Sequence, residues 1–158
     1  MPAVVIYESL TGNTRRAAEI IGLELQRQGV AATVCNVTAI DLQALSTADL
    51  VVVGSWTDGM FFFGQRPGRG GRMKDRLPAM RGKRAVTFIT FALEPRKALD
   101  KLSDIVRATG ADVIGGMAIR RDDVEGGAMD LVARLLAADA DIDVDAGSPA
   151  DEPADAPS

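Results

Sequence analysis

Five short apolar runs rich in β-branched residues recur along the chain, separated by longer stretches with helical spacing. This alternation restricts the fold to βαβ units around a parallel sheet, an α/β architecture. The runs are Ala3 to Tyr7, Ala32 to Val37, Leu50 to Gly54, Arg84 to Thr90 and Asp112 to Ile119. The first, third and fourth are almost continuously apolar, which predicts burial on both faces and therefore the central positions in the sheet. Between them, Ala17, Ile20, Ile21 and Leu25 mark one helix over Asn13 to Gln28, with Gly29 as its stop. A second helix begins at Pro95 and runs towards Gly110, and a last one covers Asp123 to Ala138. The long Gly- and Arg-rich connection from Thr57 to Gly82 has room for one short helix near Met73 to Met80, limited by Pro78. A connection of that length inside a compact domain usually carries function.

The 158 residues, 47% apolar and 25% charged, make one domain with one core. The domain is expected over residues 1–138. Beyond it, small and acidic residues with three prolines predict a disordered acidic tail over residues 139–158. The charge is uneven: removing the seven acidic residues of that tail turns a formal −4 into +3 for residues 1–138. The chain has no histidine, which excludes Ser-His-Asp and Cys-His constellations. A single cysteine, Cys35, allows neither an internal disulfide nor a zinc or iron-sulfur cluster, and on an apolar strand it reads as a small core residue. No metal site is therefore expected, and redox chemistry needs a bound cofactor. No apolar run approaches the roughly 20 residues that span a bilayer, and no basic leader precedes the first strand, so a cytoplasmic protein with no membrane partner is expected.

The most specific motif is Ser9-Leu10-Thr11-Gly12-Asn13-Thr14, which follows the first strand and leads directly into a helix. A helix start offers free N–H donors and the positive end of its dipole. Gly12 allows the backbone to turn closely around an anion, and Ser9, Thr11 and Thr14 add hydroxyl donors. Such a cradle suits a phosphomonoester without Lys or Arg. It lacks the lysine of a Walker loop and the three glycines of a dinucleotide fingerprint, so nucleoside triphosphates and NAD are poorly matched. An ordinary Ser/Thr-rich helix cap is the competing reading.

In this loop the chain resembles the flavodoxin family, whose phosphate loop has the form Ser/Thr-x-Thr-Gly-x-Thr after the first strand. Every fixed position is met. The resemblance extends over about residues 3–138 and implies a flavodoxin-like three-layer sandwich with a five-stranded parallel sheet of order 2-1-3-4-5, the order that accompanies FMN binding at the switch point of this fold. It further implies an FMN-binding electron-transfer protein, a redox carrier with no catalytic residue of its own, in which Ser9 to Thr14 surround the phosphate. By the same resemblance, the loops after the third and fourth strands hold the flavin ring: Ser55, Trp56, Thr57, Asp58 and Gly59 on one side, Phe91, Ala92 and Leu93 on the other. Trp56, the only tryptophan, is expected as one wall, and Asp58-Gly59 as a turn whose peptide faces flavin N5.

Two departures from the family pattern bear on potential and partner. The fourth-strand loop has neither Gly-x-Gly-Asp nor the stacking tyrosine common in the family; the one tyrosine, Tyr7, lies in the first strand. Flavodoxins also tend to be acidic around the flavin, whereas Arg66, Arg69, Arg72, Lys74, Arg76, Arg81, Lys83 and Arg84 cluster here, which points to an acidic redox protein as partner. Two other readings remain open: a small flavin-dependent reductase of a quinone or protoporphyrinogen-type substrate using Phe61 to Phe63, and an interaction module without cofactor. A single Arg-Gly-Gly-Arg element, residues 69–72, is weak support for nucleic acid. The acidic spacing at Asp141, Asp143, Asp145 and Glu152 lacks the glycine a calcium loop needs at its sixth position.

Overall fold

The computed structural model describes residues 2–57, 70–93 and 96–147. Five strands, β1 (Ala3–Tyr7), β2 (Ala32–Asn36), β3 (Leu50–Trp56), β4 (Arg84–Phe91) and β5 (Asp112–Arg120), form one parallel sheet in the order β2-β1-β3-β4-β5. The helices are α1 (Asn13–Arg27), α2 (Leu42–Thr47), α3 (Gly70–Arg76), α4 (Arg96–Ala108) and α5 (Val124–Gly147).

Strand alternation divides the core into two layers. Ala3, Val5, Leu50, Val52, Val86 and Phe88 meet α1 and α5 through Ala17, Ile21, Leu25, Ala128, Leu131 and Leu135. Val4, Ile6, Val51, Val53, Ala85 and Ile89 face Leu45, Met73, Leu77, Ala98, Leu102 and Val106 on the other side. Burying each branched aliphatic chain contributes about 1.5–3 kcal/mol, so both faces hold the sheet. β1, β3 and β4 occupy the interior, as their continuous apolar character requires, while β2 and β5 are edges.

Gly54 gives the centre of the sheet its close packing. A Cβ added there would collide with the ring of Phe88, the next strand's residue in register. Cys35 sits half-buried on the edge strand β2, and burial pushes its thiol pKa up, away from nucleophile behaviour.

Several boundaries differ from the sequence expectation: the short helix expected near Met73 to Met80 is α3 at Gly70–Arg76, and three further departures have visible causes. β3 continues two residues beyond Gly54 because Ser55 and Trp56 pair in register with Ile89 and Thr90. The six-residue α2, which the sequence pattern does not announce, starts where the Asp41 carboxylate accepts from the Ala44 N–H at 2.9 Å. The expected disordered tail does not begin at residue 139: α5 continues to Gly147, and Asp139 forms a 2.6 Å ion pair with Arg84 at the start of β4. The ion pair ties the start of the added turns to the sheet. Asp58, Gly59, Phe61 to Phe63, Arg66, Arg69, Pro95 and residues 148–158 lie outside the described residues.

Candidate functional site

The carboxyl edge of the sheet gathers the loop between β1 and α1 with the ends of β3, β4 and β5. α1 differs from two other helices at its start. Asp41 caps α2, and the Asp123 carboxylate accepts from the Gly126 N–H at 3.1 Å in the first turn of α5. At α1 the N-cap is Gly12, in the left-handed region at φ 96°, with no side-chain cap and no acidic residue in the first turn. The first-turn N–H groups, which have no intrahelical partner, are left to an external acceptor.

The loop hydroxyls are arranged to donate outwards. The Gly12 N–H donates to Ser9 Oγ at 3.1 Å, and the Asn13 side-chain amide donates to Thr11 Oγ1 at 3.3 Å. Each hydroxyl oxygen accepts within the loop, so its own proton remains available. Thr11 and Gly12 are exposed, Ser9 and Asn13 half-buried, and the Leu10 side chain stands 62% exposed. These residues fit a phosphate dianion: they present N–H and O–H donors at a helix N-terminus.

Thr14 points the other way. It is 1% exposed, and its hydroxyl lies 2.7 Å from Thr90 Oγ1 and 3.3 Å from the Ser55 carbonyl. The hydroxyl expected to face an anion is committed to the sheet, and what Thr14 offers outwards is its backbone N–H. Thr90 is a residue the sequence reading missed; as a polar residue near the end of an apolar strand it gave only a faint signal.

At the end of β3, Ser55, Trp56 and Thr57 are buried. Trp56 is 6% exposed and pairs with Thr90 in the sheet. The Thr57 N–H donates to the Thr90 carbonyl at 3.1 Å, closing the strand pair. Phe91 is half-buried, while Ala92 and Leu93 are exposed, Leu93 at 57%. Beside them, Phe91, Ala92, Arg120, Arg121 and Asp122 line a cleft of about 140 Å³. Among the described residues there is no group of three or more potential metal ligands, and no helix is long and apolar enough to cross a membrane.

The sequence model of the flavodoxin domain matches residues 4–110. The chain belongs to the flavodoxin family. Its members are flavin-binding electron-transfer proteins, and the solved flavodoxins superpose on most of this chain. Flavodoxin 2 from Bacillus cereus shares 18% identity over 87% of this chain and 99% of its own, with a TM-score of 0.68. A flavodoxin from the domain Archaea gives 22%, 86%, 99% and 0.63 in the same terms. The rubredoxin oxygen:oxidoreductase of Desulfovibrio gigas, a larger chain, matches 87% of this flavodoxin with 36% of its own length at 19% identity and a TM-score of 0.61. At these identities the structural likeness speaks for the fold. The search of curated proteins gave no match.

Proposed function

We propose that this flavodoxin binds FMN, with its phosphate at the open N-terminus of α1, and carries electrons between redox proteins of the cytoplasm. The observation that supports this most is the start of α1: a left-handed Gly12 without a side-chain cap, flanked by the Ser9 and Thr11 hydroxyls. The same feature favours a cofactor-binding protein over an interaction module.

Bound FMN supplies one- and two-electron redox chemistry. The chain's own residues supply binding and surroundings. Ser9, Thr11 and the N–H groups of Asn13 and Thr14 hold the phosphate; a hydrogen bond to a charged group contributes about 1.5–3 kcal/mol. Leu10 and Leu93 offer exposed apolar surface for the ring to cover, and Phe91 lines its side.

The partner we assign is an acidic redox protein. Within the basic region, Lys83 donates to the Ala48 carbonyl at 2.7 Å and Arg84 pairs with Asp139, so both are engaged in the fold. Lys74 and Arg76 are exposed and supply the docking charge, whereas Arg81, beside Gly110 ahead of β4 and β5, lies at the opposite edge of the sheet.

The test is reconstitution. Protein mixed with excess FMN and passed through gel filtration should elute with a flavin absorption spectrum at one FMN per chain. Elution free of flavin would contradict the reading.

A further inference from the structure

We propose that Arg121 contacts the flavin ring and raises the redox potential of the bound cofactor, an inference that rests on FMN binding at this edge. The 140 Å³ cleft joins Phe91 and Ala92, which follow from the family resemblance as ring-side residues, to Arg120, Arg121 and Asp122 at the end of β5. The ring-side loop and this arginine pair therefore share one surface.

The two arginines are not equivalent. Arg120 is exposed, and its guanidinium fork is closed on Asp122, with Nε to Oδ1 at 3.0 Å and Nη2 to Oδ2 at 2.7 Å. Arg121 is half-buried, and its Nε is enclosed with no hydrogen-bond partner among the described residues. Leaving a buried charged donor unsatisfied is unfavourable, so turning the Arg121 guanidinium towards an acceptor in the cleft it lines relieves that cost. Asp122, the acid lining the cleft, is taken by Arg120. The acceptor that fits between Phe91 and a guanidinium is flat and bears carbonyl oxygens or ring nitrogens, as the flavin ring does.

Two-electron reduction of the ring with uptake of one proton adds one negative charge; the electrons come from a reduced redox protein or, in vitro, from dithionite. The guanidinium attracts that added charge. It binds the reduced form more tightly than the oxidised one, and by linkage this raises the potential.

The experiment uses the FMN-loaded full chain and its Arg121→Gln, Arg121→Lys and Arg120→Gln variants, titrated with dithionite against a reference dye, alongside binding titrations of oxidised and reduced FMN. Arg121→Gln should bind reduced FMN about tenfold less tightly relative to oxidised FMN, which is a two-electron potential lower by about 30 mV. Arg121→Lys should recover most of the shift, and Arg120→Gln should show little. An unchanged potential in Arg121→Gln, equal weakening of both flavin forms, or an equal shift from Arg120→Gln would overturn the proposal. Wild type that binds no flavin overturns the FMN reading itself, whereas bound flavin with an insensitive potential overturns only the role of Arg121.

Discussion

The hydroxyls of Thr14 and Thr90 meet at 2.7 Å in the buried edge of the sheet, joining the first turn of α1 to the end of β4 across 76 positions of sequence. Through Thr14 the same oxygen also reaches the Ser55 carbonyl of β3. The first turn of α1 and the ends of β3 and β4 are thus fastened at one polar point.

That point separates two threonines that look alike in sequence. Thr11→Val removes an exposed hydroxyl of the proposed phosphate loop, so FMN affinity should fall about tenfold while riboflavin binding changes little. Thr14→Val leaves the Thr90 hydroxyl buried without that partner and should cost about 1–3 kcal/mol in urea unfolding. Its ratio of FMN to riboflavin affinity should stay near that of wild type. A ratio that collapses in Thr14→Val would place its hydroxyl on the phosphate after all.

Gly12 has open space where a Cβ would go, yet its φ of 96° is one that side chains rarely adopt. Gly12→Ala should therefore cost about 1–3 kcal/mol through backbone strain. FMN affinity should drop with it, because relaxing the strain moves the N–H donors. Full stability and full affinity in this variant would show that the left-handed turn is dispensable.

Gly54→Ala probes packing in place of backbone conformation. The added methyl would enter the space of the fully buried Phe88 ring, so unfolding free energy should fall by about 1–3 kcal/mol. The double variant with Phe88→Leu should recover part of that loss. Additive losses in the pair would deny the contact.

Much of this architecture was readable from the chain because Ala3–Tyr7, Leu50–Trp56 and Arg84–Phe91 are apolar runs that only a doubly covered parallel sheet accommodates. The start of α1 at Asn13 was readable because Gly12 after a run of hydroxyl residues marks a turn into a helix. What was not readable depends on partners far along the sequence. The last turns of α5 look like an acidic low-complexity stretch until Asp139 meets Arg84, 55 residues earlier. Trp56 reads as a loop residue until Thr90 pairs with it, and Arg121 looks like one more surface cation until Phe91 and Ala92 are set beside it. The α2 helix is too short for any periodicity to show, and its Asp41 cap is recognised only in the structure.

The Arg84–Asp139 pair predicts where the chain can be shortened. Arg84 and Asp139 keep only 28% and 21% of their side-chain surfaces, so the pair should contribute about 1 kcal/mol. A chain ending at Ala138 should lose about that much in urea unfolding relative to one ending at Gly147. Asp139→Asn in the full chain should reproduce most of the loss. Equal stability of the two truncations would show that α5 could end at Ala138 without consequence.

Phosphate capture at α1 is the central claim, and a paired titration with FMN and riboflavin, followed by quenching of Trp56 fluorescence, addresses it most directly. Two charged hydrogen bonds at about 1.5 kcal/mol each predict that FMN binds at least about a hundredfold more tightly than riboflavin. Equal affinities for the two flavins would contradict the account.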